Sequence, residues 1–234
     1  MNSKVAALQT WLNAKGMTPP LVVDGQGGSA TRAALLKLFA NLNAKAVTAA
    51  QLHGFADRLG CTVRQIKAVA EVESGGGGFL TSGLPKILWE RHYFWKRLRL
   101  NIPLISDQSP GGYTIDADRN GINDSWEKLA RACCTAPGWA FESASWGKFQ
   151  IMGAWWQKLG YHSAIDFAWS MRQSEADHYE ALVRYVEAYG LVPAIRAIDG
   201  NPANCVAFAR GYNGKGFAKY SYDSRIAKAW RRLA

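Results

Sequence analysis

From residue 48 to the C-terminus, apolar residues recur at helical spacing, and clear two-residue alternation is scarce. That pattern builds amphipathic helices and leaves a sheet little to pair with, so the chain is expected to be mainly α. The periodicity predicts helices over 48–60, 62–73, 126–134, 148–159, 164–189, 192–198 and 202–210, with a basic one near 222–233. A length of 234 residues suits a domain of ordinary size plus a small one. No apolar run approaches the roughly 18 residues of a membrane-spanning helix. The N-terminus shows no apolar secretory core, so synthesis in the cytoplasm is expected.

Residues 4–42 read as a separate small unit. Val5, Leu8, Trp11 and Leu12 lie on one helical face, Gly16 ends that helix, and Pro19-Pro20 keeps the chain extended. Asp24-Gly25 and Gly27-Gly28 mark a tight turn. Ser29 is placed to cap a second helix whose apolar contacts are Ala33, Leu35, Leu36 and Phe39. The order Leu8-Gln9, Gly16, Val23-Asp24-Gly25, Gly28, Thr31 and Phe39 resembles the small three-helix peptidoglycan-binding domain of cell-wall hydrolases. Gln26 stands where that family has an aromatic residue. The resemblance implies a wall-binding domain over 1–46, with Asp24, Gly25 and Thr31 as its marks, and a catalytic domain over 47–234.

Charge narrows the partners without choosing one. Lys and Arg number 28 against 18 Asp and Glu, a net +10, which favours nucleic acid, anionic lipid or an acidic wall polymer. Residues 205–234 hold seven of the cations and one acid, Asp223. The plain alternative is a solvated basic surface. The four cysteines (61, 133, 134, 205) include no CxxC, and the four histidines lie far apart without HExxH, so the commonest local zinc signature is missing.

The helix over 62–73 carries two glutamates in opposite settings. Glu71 follows Lys67 by four residues and Arg64 by seven, on the charged face, where a salt bridge is expected. Glu73 follows Ile66, Val69 and Ala70 by seven, four and three residues, on the apolar stripe. Burial and the negative end of the helix dipole both favour its neutral form. A carboxyl protonated near neutrality can donate a proton to a glycosidic oxygen. The glycines at 75–78 would let a polymer approach closely. The alternative is a terminal acid exposed by fraying.

Two further segments add to this. Ser145-Trp146-Gly147-Lys148-Phe149-Gln150 reads as a turn into a helix, and Ala209-Arg210-Gly211-Tyr212-Asn213-Gly214 as a glycine-flanked helix end. With Glu73-Ser74, these resemble the lysozyme-like fold of goose-type lysozymes and lytic transglycosylases, where such segments line one cleft. Val72-Glu73-Ser74-Gly75-Gly76, Pro85-Lys86-Ile87-Leu88-Trp89-Glu90-Arg91-His92, Ser143-Ala144-Ser145-Trp146-Gly147 and Ala209-Arg210-Gly211-Tyr212-Asn213 are closer still to the N-acetylmuramidase family of phage endolysins. The resemblance covers roughly 48–234. It implies a lysozyme-like α-rich fold, Glu73 as general acid, and Ser74, Gln150, Tyr212 and Asn213 as glycan contacts. Glu90 and Glu142 are candidates for a second carboxylate, each equally readable as a structural ion pair.

Residues 116–127 fit the spacing D-x-[DN]-x-[DN]-G-x5-E at every position. Asp116, Asp118, Asn120, Ile122 (through its carbonyl), Asp124 and Glu127 are thus candidate calcium ligands, and Gly121 permits the turn. A solvated acidic turn is the alternative. Any such calcium would be structural, since glycoside hydrolysis requires no metal.

The resemblance therefore implies a monomeric muramidase that cuts the β-1,4 bond of bacterial peptidoglycan in the periplasm, once the inner membrane has been opened. A lytic transglycosylase giving 1,6-anhydro products is the nearest rival, and a non-catalytic basic wall-binding protein is the rival from another class. The basic C-terminal helix would suit anionic outer-membrane lipid, and nucleic acid is not an expected partner.

Overall fold

The helices form where their ends are closed by side chains. In the computed structural model, which describes residues 1–74, 76–98 and 116–233, Thr48 and Gln51 cap one another's backbone at the start of α3 (Ala49–Leu59). Thr62 and Gln65 repeat that arrangement at the start of α4 (Val63–Ser74). Gly60, in the left-handed conformation at φ 60°, turns the chain between the two helices. The fold is mainly helical, as the periodicity predicts, with twelve α-helices among the described residues.

The chain divides into two units, each built from two stretches of sequence: residues 1–44 with 79–173, and 45–78 with 174–234. The first unit holds α1 (Ser3–Ala14), α2 (Ser29–Phe39), α5 (Arg91–Leu98), α6 (Asp124–Cys133), α7 (Pro137–Glu142) and α8 (Ala164–Met171). A small antiparallel sheet joins them, formed by β1 (Ile87–Trp89), β2 (Ala144–Trp146) and β3 (Ile151–Met152) in that order, with Ile87 opposite Trp146 and Ser145 opposite Met152.

The core of this unit is aromatic. Phe39, fully buried at the end of α2, lies against Trp11 of α1 and against Trp126, Phe141, Trp146 and Trp169, with ring centroids 5.4–6.2 Å apart. Each such pair adds about 0.5–1.5 kcal/mol beyond the area it buries. Residues 1–44 thus share one core with 79–173. Gly27 confirms how closely they fit, since a Cβ there would stand 2.3 Å from the Cβ of Cys134.

The second unit holds α3, α4, α9 (Glu175–Ala188), α10 (Val192–Arg196), α11 (Pro202–Asn213) and α12 (Tyr222–Arg232), with a 3-10 turn at Gly214–Tyr220. Helix α4 buries Ile66, Val69, Ala70 and Val72 and packs chiefly on α12, whose Ile226, Ala227 and Ala229 face inward. Gln65 donates to the carbonyls of Arg196 and Ile198 at 2.7 and 2.9 Å, and Arg196 donates to Leu59 O at 2.7 Å. These bonds tie α3, α4 and α10 together.

Several local expectations change. The helix expected over 148–159 is absent: Gly147 (φ 68°) and Gln150 (φ 50°) are left-handed, so the chain turns, pairs as β3 and makes a short 3-10 turn at Gly153–Trp155. The stretch 164–189 is two helices, because Ser174 caps a new one by accepting from Asp177 N. Helices α5 and α7 and the sheet were not evident from periodicity, since each is too short to show a repeat. Ser29 opens α2 instead of capping it, Gly28 holding the cap position, and Ala34 rather than Ala33 faces the core.

Candidate active site

Glu73 occupies the last turn of α4, and Asn213 ends α11. Asn213 Nδ2 donates to Glu73 Oε1 at 3.0 Å. The carboxyl is largely enclosed, and burial pushes its pKa from 4.5 up to about 7. The bond from Asn213 and the positive charge of Arg225 pull the other way and lose to desolvation. The apolar stripe of α4 thus carries an acid that is half protonated near neutrality.

The surroundings come from three other helices of the same unit, α9, α11 and α12. Tyr212 stacks on Phe208 at 5.6 Å and meets Tyr185 edge-on at 5.0 Å, and burial holds its phenol neutral, well above the usual range. Arg225 of α12 donates from Nη2 to the Val72 carbonyl at 3.1 Å, and its guanidinium lies 5.1 Å from the centre of the Tyr222 ring. Tyr222 and Arg225 carry no motif and were missed in the sequence; the only signal was their place on a basic amphipathic helix. Glu71 points elsewhere and pairs with Arg232, not with Lys67 or Arg64, while Arg64 stacks on Trp230 with its Cζ 3.4 Å from the ring centre.

The remaining candidates divide as follows. Ser74 ends α4 and its side chain lies outside the described part of the structure, as does Gly75; Gly76 and Gly77 are exposed. Gln150 belongs to the first unit, where its Oε1 accepts from Ser145 Oγ at 2.7 Å and its Nε2 donates to Gly147 O at 2.8 Å. Its amide therefore pins the turn between β2 and β3. Glu90 lies 3.4 Å from His92 Nδ1. Glu142 is paired with Arg97 at 2.5 Å and accepts from Trp156 Nε1 at 3.0 Å. Glu142 is thus engaged in an ion pair, and Glu90 lies beside an imidazole.

Asp24, Gly25 and Thr31 gather around one buried amide, that of Gln9. Its Oε1 accepts from Asp24 N and Gly25 N at 3.1 and 2.9 Å, and its Nε2 donates to Asp24 Oδ1 at 2.9 Å and Thr31 Oγ1 at 3.2 Å. Thr31 is itself buried. The motif holds the turn that leads into α2.

In the 116–127 loop, Asp116 accepts from Asn120 N and Gly121 N, and Asp124 accepts from Ala117 N. Asp118 and Glu127 both accept from the Asn120 amide nitrogen, at 3.0 and 2.8 Å, so two carboxylates converge on one donor. Ile122 N donates to Asn120 Oδ1 at 2.8 Å. Among the described residues, no three His, Cys, Asp or Glu side chains gather closely enough to hold a metal ion.

This is a helical scaffold presenting a half-buried acid at a helix end, and the family model for N-acetylmuramidase matches residues 62–234. The chain belongs to that family of peptidoglycan hydrolases. Among solved structures it is similar to the crystal structure of Burkholderia AP3 phage endolysin, with 34% identity and a TM-score of 0.68, covering 99% of this chain and 94% of that one. No curated protein matches it. Among the described residues no helix is long and apolar enough to cross a membrane.

Proposed function

We propose that this chain is a phage-type endolysin that cleaves the β-1,4 bond between N-acetylmuramic acid and N-acetylglucosamine, with Glu73 as general acid. One observation carries the reading: a glutamate with its pKa raised to about 7, held by a hydrogen bond from Asn213. Such a carboxyl keeps a useful protonated fraction at neutral pH and yields its proton readily, the compromise a general acid requires. The similarity to an endolysin and the family's description support the substrate. The test is Glu73→Gln, which should fold and lose turbidity-reducing activity on purified sacculi; lysis by that variant at the wild-type rate overturns the assignment.

The pairing of Glu90 with His92 and of Glu142 with Arg97 favours a second reading in which one carboxyl acts alone. Glu73 would then serve as acid and afterwards as base in a lytic transglycosylase, the 6-hydroxyl of the sugar attacking in place of water. The mass of the released fragments separates the two, because 1,6-anhydro products lack one water.

Wall binding by residues 1–46 is a further proposal, supported by the Asp-Gly turn and the net positive charge. On α12 Ile226, Ala227 and Ala229 are buried and Trp230 is partly so, and contact with anionic outer-membrane lipid is proposed through the exposed Arg225, Lys228, Arg231 and Arg232. Structural calcium at Asp118 and Glu127 is proposed on the convergence of their carboxylates. Action as a monomer in the periplasm, after the inner membrane opens, completes the reading.

A further inference from the structure

We propose that Arg225 is a positioning residue for Glu73: its guanidinium grips the Val72 carbonyl at the open end of α4 and sets a fixed positive charge beside the acid. The inference rests on the reading of Glu73 as the general acid and names what holds it in place.

The geometry is specific. The last carbonyls of a helix lack partners within it, so the final turn is free to fray unless something else binds them. Arg225 Nη2 supplies that partner at 3.1 Å to Val72 O, one residue before Glu73. An acid on a fraying turn would sample water and lose the burial that raises its pKa. Arg225 is itself oriented by Tyr222, one helical turn earlier on α12, whose hydroxyl hydrogen-bonds it and whose ring lies 5.1 Å from the guanidinium. Helix α12 is fixed in turn, since Ile226 beside Arg225 is fully buried.

Among the described residues, the charged and titratable groups acting on Glu73 come from two helices. Helix α11 contributes Tyr212, neutral through burial, together with the Asn213 amide; α12 contributes Tyr222 and Arg225. Arg225 is the cation of this set. The same residue therefore has two opposed effects. Its grip on Val72 O keeps the acid in its enclosed place, and its charge tempers the rise in pKa that enclosure causes. Lysine reproduces the charge without the planar fork that reaches a carbonyl while stacking on a ring.

The test uses Arg225→Lys and Arg225→Gln in the full chain, with 13C-labelled glutamate to follow the Glu73 titration and kcat and KM measured across pH. Arg225→Gln gives up the grip and the charge together, so its Glu73 midpoint should lie about half a unit or more above that of Arg225→Lys, since an opposite charge nearby favours the ionised form. The alkaline limb of kcat/KM should move with it. Arg225→Lys, which keeps the charge and gives up the grip, should let the midpoint fall below the wild-type value and lower kcat severalfold with KM nearly unchanged. An Arg225→Lys midpoint that stays at the wild-type value overturns the proposal, as do equal midpoints in the two variants or a change confined to KM. Circular dichroism and thermal melting report whether each variant folds. The NMR titration needs no turnover, so it remains decisive for Arg225 even if Glu73→Gln were to retain activity.

Discussion

Asn213 and Glu73, 140 residues apart in sequence, meet through a single 3.0 Å hydrogen bond from amide nitrogen to carboxyl oxygen. The bond favours the ionised acid, while burial favours the neutral one and prevails. Removing the amide should therefore make the acid harder to ionise. Asn213→Ala is expected to shift the alkaline limb of kcat/KM upward by roughly half a unit to one unit, and to lower kcat as the carboxyl loses its orientation. A pH–rate profile on soluble glycan fragments checks both effects.

Stability should show the same acid with the opposite sign from a salt-bridged carboxylate. The folded pKa, about 7, exceeds the unfolded value of 4.5, so the native state holds its proton more tightly. Below pH 4.5 both states are protonated and the group contributes its full favourable share; that share is lost as pH rises toward 7. Glu73→Gln cannot ionise. It should match the wild type at pH 4 and exceed it at pH 8 by up to about 3 kcal/mol, as measured by urea unfolding at the two pH values.

Phe39 joins the N-terminal helices to the aromatic core of the first unit, so the two parts should not separate cleanly. Phe39→Ala should cost about 3–5 kcal/mol. Deleting residues 1–46 should leave Trp126, Phe141, Trp146 and Trp169 without a cover and give an aggregating or molten product. Near-ultraviolet circular dichroism of the truncated chain, compared with the intact one, measures this directly.

Glu142 is held by Arg97 and Trp156, contacts that suit a structural ion pair. Glu142→Gln should lower stability by about 1–2 kcal/mol, given the partial exposure of Arg97. Its specific activity per folded molecule should stay near the wild-type value. Thermal melting and active-fraction-corrected turnover separate the two quantities.

Asp118 and Glu127 converge on Asn120, and a divalent cation would relieve their repulsion better than an amide does. Millimolar calcium should raise the melting temperature of the wild type and have no such effect on Glu127→Gln. Magnesium serves as the control, because it dehydrates reluctantly and demands stricter geometry.

The acid was legible in the sequence because helical periodicity alone puts Glu73 on a face where carboxylates are penalised. Asn213 and Tyr212 were legible only through resemblance to a family, since nothing local relates them to a glutamate so far upstream. Arg225 and Tyr222 were hidden for a different reason: on a helix with seven cations nearby, no single arginine stands out until packing selects it. The turn at Gln150 misled because its residues have acceptable helix propensity, and only two left-handed positions, one of them non-glycine, reveal the break. The motif around Asp24 was read from its spacing, yet its cause, the buried amide of Gln9, emerges only when the turn is closed.

The unit that contains Glu73 begins at residue 45, breaks off after residue 78 and resumes at residue 174. A growing polypeptide therefore exposes its acid to water long before the helices that enclose it have left the ribosome. At about 5–20 residues per second, the wait for Asn213 lasts roughly 7–30 seconds, and α12 follows later still. A prematurely terminated product lacks the helices that enclose the glutamate, so its carboxyl stays in water and titrates as an ordinary acid.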